Sequence, residues 1–201
     1  DGITVDGAKN CDMVLYADCK ALTVTNSYFR NNTAEYNIVR IGSNSNQTVS
    51  FENVVFSNNY SVSDSASESG MVIALNTKES AAFVNVTATG NESNGNGGAF
   101  SFKCPSAAIS LEDCVIRDNT AHKTGGGVWV SEAKTLTIRN TEIAENEAQG
   151  NVGRSGAVQK AGNATGSAGG LHITSTSASI TIADSQIYNN RSTYEDASGI
   201  Q

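Results

Sequence analysis

One eleven-residue phrase recurs along this chain and constrains its fold more than any other feature. It runs apolar-x-apolar-x-(Asn/Asp)-x-x-apolar-x-x-Asn. The copies begin at Leu22, Val49, Ala81, Ile109, Leu136 and Ile180, and they close on Asn32, Asn59, Asn91, Asn119, Asn146 and Asn190. The closing asparagines are 27, 32, 28, 27 and 44 residues apart. Periods of this length mark solenoids, propellers or arrays, in which one repeat cannot bury its apolar face without its neighbours.

Within each copy the apolar residues alternate, as at Leu22/Val24, Ile109/Leu111 and Leu136/Ile138. That is the period of a strand with one buried face. After each closing asparagine comes a polar turn and a second apolar stretch, usually opened by glycine: Gly97-Gly98-Ala99-Phe100, Gly126-Gly127-Val128-Trp129, Gly169-Gly170-Leu171. Glycine there supplies backbone angles that other residues avoid. Stacking such coils pairs each strand in parallel with its equivalents above and below, about 4.8 Å away. Parallel crossovers are overwhelmingly right-handed. The expected fold is an all-β, right-handed, single-stranded parallel β-helix of about six to seven coils. It forms one domain over 1–201, with 1–21 as an irregular first coil and 147–168 as an inserted loop.

The same stacking aligns two sets of polar residues. Asn32, Asn59, Asn91, Asn119, Asn146 and Asn190 form one expected ladder, and Asn26, Asn53, Asn85, Asp113, Asn140 and Asp184 another. Asparagine tolerates the left-handed bend between strands, and stacked amides can bond along the axis. Six asparagines out of six at the final position favour a structural ladder over chance filling of exposed turns.

Composition narrows function by exclusion. Charged residues are only 16% of the chain and the net charge is −7, which argues against nucleic acid and anionic membrane surfaces. No apolar run is long enough to insert into a membrane. Cys11, Cys19, Cys104 and Cys114 lack the spacing of a zinc site. Local disulfides, Cys11 with Cys19 and Cys104 with Cys114, are one reading, and would place folding in an oxidising compartment. Four small buried hydrophobes is the other. No cofactor or metal is expected.

Seven Asn-x-Ser/Thr sequons occur, at Asn31, Asn46, Asn59, Asn85, Asn91, Asn163 and Asn190, close to the number composition gives by chance. Asn59, Asn91 and Asn190 hold the ladder register. Asn46 and Asn163 in loops, then Asn31, are the better glycosylation candidates.

Phe29-Arg30-Asn31-Asn32, Phe56-Ser57-Asn58-Asn59 and Gly97-Gly98-Ala99-Phe100 resemble the Phe-x-x-Asn and Gly-Gly-Ala-(Ile/Leu/Val) repeats of polymorphic outer-membrane proteins, the passengers of bacterial autotransporters. The resemblance covers roughly residues 20–201. It implies a β-helix at the cell surface acting as an adhesin, although the family's membrane barrel is absent.

Many β-helices cleave acidic polysaccharides, but the Asn-Thr-Asp, Gly-His-Gly and Arg-Ile-Lys motifs of polygalacturonases are missing. His122 and His172 are expected in exposed turns or strands, and no base–nucleophile spacing is found. Phe100 and Trp129 share a position relative to their glycines. They are read as a possible stacked face, joined by Tyr16, that would bind carbohydrate if it points outward and would be core if inward. Val128 and Val130 flanking Trp129 favour outward.

The chain begins strand-like, ends as a glycine-led strand starts, and shows no cap. These features suggest either a fragment or head-to-tail self-association. The leading expectation is a non-enzymatic, extracellular or cell-surface structural protein whose copies stack into a filament. The alternatives are an adhesin binding a receptor or glycan, and a polysaccharide lyase or hydrolase.

Overall fold

The computed structural model describes residues 1–42, 47–63, 71–75, 77–150, 168–175 and 178–193. These residues form an all-β parallel solenoid of about five turns, with every strand pairing in parallel. The count is slightly below the six to seven expected.

Each coil has four walls. The first wall aligns Leu22, Val49, Ala81, Ile109, Leu136 and Ile180. A corner residue then turns the chain into the second wall, where Phe29, Phe56, Ala88, Ile116, Ile143 and Ile187 align. The closing asparagine leads into a two-residue third wall, Thr33-Ala34, Tyr60-Ser61, Glu92-Ser93, Thr120-Ala121, Glu147-Ala148 and Arg191-Ser192. Glu147 and Ala148, expected within the inserted loop, thus belong to the regular column. Residues 151–167 of that loop, including Asn163, lie outside the described residues, as does Asn46.

The fourth wall aligns Leu15, Val39, Ile73, Phe100, Val128 and Leu171. It runs on into the first wall: Phe100–Glu112 is one strand with register shifts after Phe102 and Cys104.

The core is the apolar half of the alternation. Phe29 stacks on Phe56 at 5.1 Å between ring centroids, and Phe51 on Phe83 at 5.3 Å. Phe100 and Phe102 meet Phe83 at 5.2 and 5.6 Å. Offset aromatic contacts of this kind add about 0.5–1.5 kcal/mol each beyond the area they bury. In later coils isoleucine and leucine fill the same columns.

The first eight residues are a regular rung. Gly2 and Gly7 carry positive φ (67° and 73°), as Asn26 and Asn31 do (52° and 55°). Thr4–Asp6 pairs with Tyr28–Arg30. Ala8 O accepts Thr33 N, just as Asn32 O accepts Tyr60 N. Ala8 therefore stands at the foot of the asparagine column. Cys11–Ala17 likewise pairs with the fourth-wall strand above it.

The glycine turns work by close approach more than by backbone angle. A Cβ on Gly98 would collide with Gly126 O and sit 2.8 Å from the Thr120 backbone. One on Gly126 would collide with Gly169 O. The column Gly98–Gly126–Gly169 packs flat against the third wall, and only hydrogen fits there. Positive φ falls one residue earlier, at Gly97 (72°) and Gly125 (67°).

Candidate functional faces

The inner asparagines form a buried amide ladder. Asn32, Asn59, Asn91, Asn119 and Asn146 are at most 1% exposed and Asn190 is 7%. Each of the four middle amides, Asn59, Asn91, Asn119 and Asn146, uses all its bonding capacity, and Asn32 and Asn190 at the ends make three bonds each. Asn59 Nδ2 donates to Asn91 Oδ1 at 2.9 Å and to Phe29 O at 2.8 Å. Asn59 Oδ1 accepts from Asn32 N at 3.1 Å and Asn32 Nδ2 at 3.0 Å. The pattern repeats through Asn91, Asn119 and Asn146 to Asn190. Four bonds on each of these middle side chains meet the requirement that buried polar groups be satisfied. Aspartate lacks the two donors, and glutamine is a methylene too long.

These asparagines are not themselves in the left-handed bend; the residues before them are. Asn31, Asn58, Gly90, Asp118, Glu145 and Asn189 have φ between 53° and 63°. The other polar register, Asn26 to Asp184, has φ between 45° and 56° and makes the first corner. Its amides also bond along the axis, Asn53 to Asn26 at 3.2 Å and Asn85 to Asn53 at 2.8 Å, but in exposed positions.

Phe100 and Trp129 do not stack. Phe100 pairs with Val128, and Trp129 with Ser101. Gly125-Gly126-Gly127 holds one more glycine than Gly97-Gly98, which shifts the register by one. A one-residue shift reverses the face, so Phe100 is fully buried while Trp129 lies at an outward position, half-buried. The fourth-wall column that holds Trp129 also holds Tyr16, Arg40, Ser101 and His172, of which Ser101 and His172 are buried. Tyr16 is 53% exposed. The three expected aromatics therefore reduce to two on one face.

Both histidines are buried, contrary to the expectation of exposed positions. His122 Nε2 lies 2.8 Å from Glu92 Oε1 in the rung beneath. His172 hydrogen-bonds Thr124 Oγ1 through Nδ1, and burial lowers its pKa. The solenoid brought each a partner from another coil, a proximity invisible in linear spacing.

All four cysteines are free, so neither of the two local disulfides is present, and of the four only Cys104 and Cys114 are buried. Cys11 opens a seven-residue strand and Cys19 lies two residues beyond its end, about 25 Å away for extended chain. Cys104 and Cys114 flank the first-wall stretch 108–112 in the same manner. A disulfide needs Cα atoms within about 7 Å. Burial pushes the Cys104 thiol up to about 12 and the Cys114 thiol to about 11, so both behave as core hydrophobes.

A charged cluster on the second wall had no signal in the sequence. Arg117 Nη2 lies 2.7 Å from Glu142 Oε1 and donates to Tyr188 Oη at 2.7 Å, and Arg117 Nε is 3.8 Å from Glu145 Oε2. Tyr188 Oη donates to Glu142 Oε1 at 3.1 Å. Ala144 lies buried at the intervening rung, leaving room for Arg117 to reach Tyr188. The arrangement ties three rungs together and offsets part of its carboxylate charge.

Of the sequons, Asn31 is exposed, with Nδ2 donating to Asp6 Oδ1 at 2.9 Å. Asn85, also exposed, is a further accessible sequon that sequence ranking passed over. Among the described residues no group of three His, Cys, Asp or Glu side chains could hold a metal ion, and no helix is long and apolar enough to cross a membrane. No protein-family model, curated protein or solved structure matches this chain.

Proposed function

We propose that this chain is a non-enzymatic structural solenoid, extracellular or at a cell surface, whose column is extended by stacking against another copy. The observation that carries the reading is the upper face of the last described coil. Ile180 and Ile182 occupy the columns in which Leu136 and Ile138 are fully buried, yet they are 44% and 37% exposed. A coil set above them would bury both, at about 1.5–3 kcal/mol for each side chain fully covered. It would also pair the backbone edge of Ser179–Ala183, which has no strand above it among the described residues. The inner ladder supports the same role, since a saturated amide column gives a stiff rod of repeating units.

The test is electron microscopy and light scattering of the full chain beside its Ile182→Lys variant. End-to-end filaments with an axial repeat of about 34 Å, from seven rungs at about 4.8 Å, are expected for the wild type and not for the variant. A wild type that stays monomeric at high concentration overturns the reading.

A second reading, a cell-surface adhesin of the kind that polymorphic outer-membrane protein repeats imply, draws support from the fourth-wall column containing Tyr16 and Trp129. Aromatic side chains on a regular face suit the stacking of sugar rings. Glycan-array binding that Trp129→Ala abolishes would favour it.

A further inference from the structure

We infer that this chain folds by a route that bypasses asparagine-linked glycosylation, and that its ladder sequons are by-products of coil stacking. The inference rests on neither reading above. Three of the seven sequons, Asn59-Tyr60-Ser61, Asn91-Glu92-Ser93 and Asn190-Arg191-Ser192, have their asparagine in the inner ladder.

Their third residue has a structural cause. It is the inward residue of the third wall, where Ala34, Ser61, Ser93, Ala121, Ala148 and Ser192 align in one column. That wall packs against the glycine turns, with Gly98 tight against Thr120 and Gly126 against Glu147. Only alanine and serine occupy this inward column beside it. Wherever the small residue is serine, ladder asparagine plus small residue spells a sequon.

Modification at Asn59 and Asn91 is incompatible with the fold. Glycosylation forms a bond from Nδ2 to the first sugar's anomeric carbon as that carbon leaves the phosphate of a lipid-linked donor, and Nδ2 loses a proton. Asn91 Nδ2 already uses both hydrogens, to Asn119 Oδ1 at 2.9 Å and Phe56 O at 3.0 Å. The amide is 1% exposed, with the next asparagine directly above it. A glycan is bulky and must face solvent. Because the sugar is added to the nascent chain, it would arrive before the ladder could shield its asparagines. The free thiols agree: no disulfide has to form on the way to this structure.

The experiment passes the full chain through a eukaryotic secretory pathway and, separately, makes it in bacterial cytoplasm. The comparison is a triple variant, Ser61→Ala, Ser93→Ala and Ser192→Ala, which places in three rungs the residue already present in the other three. The bacterial product should fold in both versions, by circular dichroism and protease resistance. In the secretory pathway the wild type should acquire glycans at Asn59 or Asn91 and be lost as folded secreted protein. The triple variant should be recovered folded, whether or not the exposed Asn31 and Asn85 are modified. Folded secreted wild type overturns the inference, with or without sugar on the ladder. So does a triple variant that folds in bacteria yet is lost on secretion.

Discussion

The two asparagine registers use one residue type for opposite reasons. On the inner ladder the side chain is buried and its value lies in hydrogen-bond capacity: two donors and one doubly accepting oxygen, all engaged across coils. At the first corner the side chain is exposed and its value lies in the backbone, since asparagine accepts the left-handed conformation at low cost. The composition of each column follows. The inner ladder from Asn32 upward is asparagine at every rung. The first corner admits aspartate at 113 and 184 and glycine at 2, and the corner just before the ladder admits glycine at 7 and 90, aspartate at 118 and even glutamate at 145.

Substitutions can break this contrast, most sharply at the ladder. Asn91→Leu removes four side-chain bonds and leaves Asn59 N, Asn59 Nδ2 and Phe56 O short of buried partners. A loss of roughly 3–5 kcal/mol is expected in denaturant unfolding. At the outer corner, Asn53→Val forces a β-branched residue to φ 56° and should cost about 1–2 kcal/mol. Asn53→Gly at the same position should stay within about 0.5 kcal/mol of wild type. A glycine variant as damaging as the valine one would mean that the outer amide, not the backbone, matters.

A smaller effect of opposite sign is expected at Glu145. Its φ of 57° suits asparagine better, and its 3.8 Å contact with Arg117 is exposed and therefore weak. Glu145→Asn should raise stability by about 0.5 kcal/mol. Smallest is a pH effect at His172. Burial favours its neutral form, so the unfolded state takes up a proton first as pH falls through the usual histidine range near 6.5. The stability from this group is complete above that range and is lost below it, until the folded form also protonates. His172→Gln should remove that component from a stability–pH profile measured between about pH 7 and 5.

The solenoid was legible because its strands, ladder and corners repeat in sequence at coil spacing. What escaped depended on local exceptions to the repeat. The extra glycine at 125–127 concealed the register of Trp129, and Gly2, Gly7 and Ala8 concealed a rung by replacing every asparagine that would have marked it. The partners of His122, His172 and Arg117 come from other coils, 25 to 71 residues away in sequence, where no local pattern reports them. The cysteines misled for the converse reason: neighbours in sequence are held apart by a stretch of extended strand. The functional faces were least legible, because in a solenoid any outward column can be redecorated without disturbing the core.

The central claim is that the inner amides form one continuous, sealed column. Hydrogen exchange of the asparagine side-chain amides, followed by nuclear magnetic resonance, tests it directly. Protons on Nδ2 of Asn59, Asn91, Asn119 and Asn146 should exchange only through global unfolding, as slowly as the core strands. Those of Asn26, Asn53, Asn85 and Asn140 should exchange orders of magnitude faster. Equal rates in the two sets would contradict the account.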